Sequence, residues 1–238
     1  MTHLSGEQAR SALLVAANRA ALYGTIARWL MHDLRGPVQA LSLVTDLLEQ
    51  GDTVDEPSVR TSIQEASGRL RQLVDLLDQV LRRPDNGEVG PIVLREPIVR
   101  AVELLRLQRS KVALDAGPAL TVRLPAVRGV YDDVLHALLN ILLNAYEALA
   151  PTGGGTVRLT AELAGSVVRI VVSDNGPGVG VDVERLFEPF VTTKPGQLTG
   201  LGLWAARELL RRSDGTVRYE PRPGGATFVL EFPVWTPA

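Results

Sequence analysis

From Leu22 to Val80 the apolar residues fall at helical spacing, and no other feature of the sequence limits the fold as strongly. Leu22, Ile26, Leu30, Leu34, Val38, Leu41 and Leu48 recur through residues 6–50, where the sole proline is Pro37. After a polar break at residues 51–57, Val59, Ile63, Ala66, Leu70, Leu73, Leu77 and Val80 continue by threes and fours. Two long helices joined by a short turn are expected. Two narrow apolar stripes cannot be buried fully against each other. Pairing with a second copy into a four-helix bundle is the economical solution, so a homodimer is expected.

The pattern changes at the run RRPDNGEVGP, rich in proline, glycine and charge. The organisation expected is a helical domain over residues 1–83, a linker over 84–90 and a second domain over 91–238. In the latter, residues 92–94 and 121–124 read as short strands, and 97–110 and 132–150 as helices. Residues 155–173 read as a hairpin turning at Ala164-Gly165, Arg207 sits in a further helix, and residues 215–233 form a last hairpin around Pro223-Gly224-Gly225. Helices mixed with hairpins in this way give an α+β sandwich, one sheet covered on one face by helices.

Composition narrows the function. A net charge of −2 over 238 residues supplies no bulk electrostatic attraction to nucleic acid or an anionic membrane. With no cysteine, disulfides, thiolate metal sites and cysteine nucleophiles are excluded. The apolar stretches are broken by polar residues and no signal-peptide pattern opens the chain, so no membrane span and a cytoplasmic location are expected.

Four pieces in fixed order carry the chemistry of the second domain. In LLNILLNAYEA, Asn140 and Asn144 are one turn apart on one helix face, where amide oxygens can hold a metal ion and its phosphates. In VSDNGPGV, Asp174 ends an apolar strand, and Gly176 and Gly178 let the backbone turn tightly beside a flat ligand; such a carboxylate can accept the exocyclic amine of adenine. FEPFVTTKP leads to Thr192, Thr193 and Lys194, a segment able to fold over a nucleotide. In LTGLGLWAAREL, Gly200 and Gly202 open a helix whose first amides can meet phosphate.

Together these resemble the N box, first glycine box, F box and second glycine box of the GHKL-type ATP-binding domain of sensor histidine kinases. The resemblance implies ATP and Mg2+ as cofactors, with Asn140, Asn144, Asp174, Gly176, Gly178, Thr193, Lys194, Gly200, Leu201, Gly202 and Leu203 around the nucleotide and Asn144 on the metal through the ATP phosphates. One departure is visible: where the family carries Gly-x-Gly-Leu-Gly-Leu, Leu198 takes the first glycine position.

In the helical domain, MHDLRGPV resembles the H box of the HisKA dimerisation and phosphotransfer domain. His32 is then the nucleophile, since a largely neutral imidazole has a lone pair to attack the γ-phosphorus. Asp33 is, by the same resemblance, its general base. His32 lies two residues from both Leu30 and Leu34, about 200° around the helix from them, so it should face outward. His136, one turn before Asn140, reads as a solvated or capping residue. Arg60, Arg69, Arg71, Arg82 and Arg83 read as a solvated face.

The expected activity is autophosphorylation of His32 and transfer to an aspartate on a response-regulator receiver domain. The 31 residues before His32 are too few for a sensor domain, so input is expected from another protein, from the dimer or from a segment absent here. Three alternatives compete, one of them an anti-sigma-factor-type serine kinase with the same ATP domain, a reading that leaves the helical pair with His32 unexplained. A GHKL ATP hydrolase would place a glutamate at position 140 to activate water, and Asn140 cannot act as that base. A nucleotide-binding scaffold or pseudokinase would not need His32, Asn144, Asp174 and Lys194 together. HisKA-type kinases that also dephosphorylate their partners resemble one another in carrying Thr or Asn four residues after the histidine; here that residue is Gly36.

Overall fold

The computed structural model describes residues 6–50, 55–81, 87–108, 111–180, 182–192 and 200–237. Helix α1 (Gly6–Glu49) runs for 44 residues with Pro37 inside it. Helix α2 (Glu56–Leu81) follows, its first turn capped by Asp55, whose carboxylate accepts the Ser58 amide at 3.2 Å. By contact the chain divides into two compact units, residues 21–83 and the remainder. Residues 6–20, expected with the helical domain, group instead with the second unit, because their side chains pair with its helices.

Within the helical hairpin, Leu22, Ile26, Leu30 and Val44 of α1 and Ala66 and Leu73 of α2 are buried. The α1 stripe departs from the expected one after Leu30. Val38 and Leu48 are about half exposed, at 50% and 55%, while Asp33 is buried. Each step of four residues overshoots a full helical turn by about 40°, so an unbroken walk by fours leaves the core face. The three-residue step from Leu30 to Asp33 restores it, which puts an acid where the spacing suggested Leu34.

The second unit is an α+β sandwich. Strands β1 (Gly90–Ile92) and β3 (Val127–Gly129) form an antiparallel pair. The main sheet joins β2 (Val112–Asp115), β4 (Gly155–Ala164), β5 (Val167–Asp174), β6 (Thr216–Arg222) and β7 (Gly225–Pro233) in the order β2-β4-β5-β7-β6. It is mixed, since β2 runs parallel to β4 and the other pairs are antiparallel. Helices α3 (Arg95–Leu105), α5 (Tyr131–Leu149) and α6 (Gly202–Arg211) complete the layer, α5 packing on β4 and β5. Leu138, Leu139, Ile141 and Leu142 of α5 are fully buried, each contributing roughly 1.5–3 kcal/mol by burial.

Both hairpins form where turn residues mark them, but the strand expected at 121–124 does not. Thr121 is instead the last residue of a short helix, α4 (Gly117–Thr121), opened by Pro118 in its first turn, where a fixed φ favours helix, and residues 122–124 after it form no strand. The strand at 112–115 was not anticipated; only four residues long, it lacks a readable alternation. Helix α3 stops at Leu105, short of the expected residue 110. One segment, Tyr131–Thr152, is long and apolar enough to cross a membrane by length and composition, but most of it is buried within this unit.

Candidate functional site

Strict alternation along β5 sends Val168, Ile170 and Val172 into the core and carries Asp174 inward with them. Asp174 is therefore 3% exposed, and its Oδ1 accepts backbone N–H groups from Gly176 at 2.9 Å and Ala226 at 3.2 Å. Two amides fix one oxygen and orient the carboxylate. Gly178 follows with φ of 82°, a left-handed backbone that side chains resist. The carboxylate and the turn after it thus form one fixed corner at the end of β5.

Helix α5 brings Asn140 and Asn144 to one face. Asn144 is half-buried. Asn140 is buried, and a Cβ on Gly202 would lie 3.4 Å from its Oδ1, so the first turn of α6 rests against it. Leu201 is buried and Leu203 half-buried in that turn. Gly200, with φ of 63°, leaves no room for a side chain: its Cβ would stand 2.6 Å from the Phe190 carbonyl carbon. The Phe190 amide donates to the Gly200 carbonyl at 2.9 Å, tying the F box to the second glycine box. Asn140, Asp174, Gly176, Gly178 and Gly200–Leu203 thus all lie in one unit. Thr193, Lys194 and Leu198 lie outside the described residues, as does His3.

No sequence pattern points to what covers this face. Asn18 of α1 and Asn140 exchange amide hydrogen bonds at 3.1 Å, and Asn140 Nδ2 also reaches the His136 carbonyl at 3.0 Å. Arg19 pairs with Asp133 at 3.2 Å, and Arg212 pairs with the same carboxylate at 2.8 Å. Leu14 and Val15 pack on Leu201, Trp204 and Ala205. Burial pushes the Asp133 carboxyl above the usual carboxylate range, against the opposing pull of Arg212 and Arg19. His136 is neither solvated nor a cap: it is 1% exposed, with Nδ1 2.8 Å from the Asp132 carbonyl oxygen. Burial first, and Arg19 second, lower its pKa to about 4. The ring is neutral.

In the helical hairpin His32 faces outward, 55% exposed, while the adjacent Asp33 side chain is 7% exposed. Neighbours on a helix differ by about 100°, enough to put one in solvent and the other at the core. His32 Nδ1 lies 3.5 Å from Asp33 Oδ1, and the other carboxylate oxygen takes a 2.8 Å contact from Arg69 on α2. Arg69 was expected on a solvated face. Its partner lies 36 positions away, and no local pattern reveals it.

Residues 129–236 match the family described as histidine kinase-, DNA gyrase B-, and HSP90-like ATPase. Over 226 residues the chain is 32% identical to the C4-dicarboxylate transport sensor protein DctB of Rhizobium meliloti (strain 1021), covering 91% of this chain and 35% of that one. It is 31% identical to the sensory histidine kinase/phosphatase NtrB of Escherichia coli O157:H7, covering 97% of this chain and 66% of that one. The chain thus spans about one third to two thirds of the length of these relatives. Among solved structures it is similar to the catalytic domain of the histidine kinase ThkA, at 27% identity and TM-score 0.51, over 62% of this chain and 96% of that one. A mycobacterial sensor histidine kinase, MprB, gives 27% and 0.50, over 61% and 97%.

Proposed function

Because this chain belongs to the sensor histidine kinases of GHKL type, we propose that it phosphorylates itself on His32 with ATP and passes the phosphoryl group to an aspartate of a response-regulator receiver domain. The single observation that carries the histidine assignment is the pairing of an exposed imidazole with a buried carboxylate at 3.5 Å. In the step, His32 Nε2 forms a bond to the γ-phosphorus. The bond from that phosphorus to the bridging oxygen breaks, ADP leaves with the electron pair, and Asp33 Oδ1 accepts the Nδ1 proton. Asp174 takes the adenine amine, and the first amides of α6 meet phosphate.

Magnesium that arrives on nucleotide needs only one or two protein oxygens besides its phosphates and waters. Asn144, a neutral oxygen donor half-buried on the α5 face, suits that role. Bound there, magnesium would supply charge neutralisation at the phosphates. ATP as phosphoryl donor places the chemistry in the cytoplasm. The helical hairpin is the dimerisation element, and the input comes from another protein, the dimer itself or a further segment.

The test is incubation with γ-labelled ATP and magnesium, followed by acid and base treatment. An acid-labile, base-stable phosphoramidate is expected, and His32→Gln should lose it while still binding ATP. Undiminished labelling of that variant would remove His32 from the mechanism.

A further inference from the structure

Asp33 occupies a core position of α1, its side chain only 7% exposed. A buried carboxylate is costly unless paired, and an acid on an apolar stripe needs a reason to be there. The Arg69 guanidinium of α2 meets Oδ2 at 2.8 Å, a short charge-assisted contact, and is itself 46% exposed. The opposite oxygen, Oδ1, is the one turned to His32 Nδ1. The terminal torsion of an aspartate is otherwise soft. Holding one oxygen from across the hairpin therefore sets where the other points.

We propose that Arg69 is a positioning residue for the phosphorylation of His32: it pins the Asp33 carboxylate so that Oδ1 stays directed at Nδ1. Arg69 meets the Asp33 carboxylate and acts through it. With Oδ1 aligned, the Nδ1 proton has an acceptor as the Nε2–P bond forms, and the nucleophilic tautomer is the one held. With Arg69 removed, the carboxylate loses its anchor across the hairpin and the aligned fraction falls. A lysine in its place restores the charge but contacts the oxygen as a point, without the planar guanidinium that fixes its orientation.

The inference rests on the kinase reading, and the experiment separates the two. Initial rates of His32 labelling are measured across ATP concentrations for the full chain, wild type, Arg69→Met, Arg69→Lys, Asp33→Asn and the Arg69→Met/Asp33→Asn pair, each checked for helical content at the assay temperature. Arg69→Met should lower kcat about tenfold to a hundredfold, the scale of a lost alignment, with KM for ATP unchanged. Arg69→Lys should recover part of the loss. In the Asp33→Asn background, Arg69→Met should cost little more, because there is no carboxylate left to position. Equal kcat in wild type and Arg69→Met, an effect on KM alone, or the same loss in both backgrounds would overturn the proposal. If Arg69→Met loses helical content, Arg69→Lys decides: partial activity in a folded protein supports positioning, and wild-type or no activity contradicts it. Absence of label on His32 in the wild type would instead overturn the kinase reading.

Discussion

Asn18 and Asn140 hydrogen-bond to each other in both directions through their side-chain amides, each at 3.1 Å. Both Nδ2 hydrogens of Asn140 are thereby taken, one by Asn18 and one by the His136 carbonyl, and its oxygen is engaged by Asn18, so a nucleotide must compete with Asn18 for it. Asn18→Ala should therefore tighten ATP binding, by about two- to tenfold, the range corresponding to one net hydrogen bond of roughly 0.5–1.5 kcal/mol. Titration with a fluorescent nucleotide checks it. Equal or weaker affinity would show that Asn140 does not serve the nucleotide.

Burial of His136 makes the second unit acid-sensitive. With the folded pKa lowered from 6.5 to about 4, the unfolded chain binds more protons between those values, so stability falls as pH drops through that window. The full shift corresponds to about 3 kcal/mol. Around the ring, Arg19 opposes protonation and the Asp132 carbonyl favours it. The raised Asp133 carboxyl acts in the opposite sense, holding its proton in the folded state above its usual pKa. Denaturant melts from pH 7 to pH 4.5 should show the loss. His136→Gln should flatten it, and an identical slope in that variant would assign the acid sensitivity elsewhere.

Asp174→Asn tests the adenine contact with little structural cost. The amide oxygen can keep accepting the Gly176 and Ala226 N–H groups that hold Oδ1. The other position becomes a donor facing the donor amine of adenine. ATP affinity should fall by about tenfold to a hundredfold, the value of a hydrogen bond to a charged group, with the melting temperature nearly unchanged. Retained affinity would move adenine away from this corner.

The asparagine pair, the carboxylate that ends β5 and the glycines were legible in the sequence because local spacing alone places them. Alternation fixes the inward turn of Asp174, and a one-turn offset aligns Asn140 with Asn144. What connects distant segments was not legible. Asn18 is 122 positions from Asn140, and nothing in residues 6–20 distinguishes a helix face that meets α5 and α6 from one that continues the hairpin. Asp33 shows how periodicity misleads, since a walk by fours drifts off the core face within a few turns.

The hairpin leaves apolar side chains exposed in the single chain. Leu43 and Leu48 of α1 and Ile63 and Val74 of α2 are 60%, 55%, 38% and 50% exposed in the single chain. Sedimentation of the full chain should show a dimer at micromolar concentration. Leu43→Glu should shift it toward monomer, since a charge in a closed apolar seam goes unpaired. A wild-type monomer would leave these residues without a partner.

Gly36 predicts a kinase that is a poor phosphatase toward its phosphorylated partner. In kinases of the HisKA type that dephosphorylate, the Thr or Asn expected at this position lies one turn from the histidine and can orient the attacking water. Glycine offers no donor or acceptor. A Cβ at Gly36 meets nothing within 4 Å, so a threonine side chain would have space at this site. Restoring one orienting contact is worth on the order of tenfold to a hundredfold in rate. Gln39 is the competing candidate, but it sits three residues further along α1, and nearly one turn of offset moves its amide by about 4.5 Å along the axis. Phosphate release from a phosphorylated cognate receiver domain should proceed near the receiver's own rate with wild-type protein and accelerate with Gly36→Thr. Strong wild-type acceleration that disappears in Gln39→Ala would assign the water to Gln39 and make Gly36 a matter of helix geometry alone.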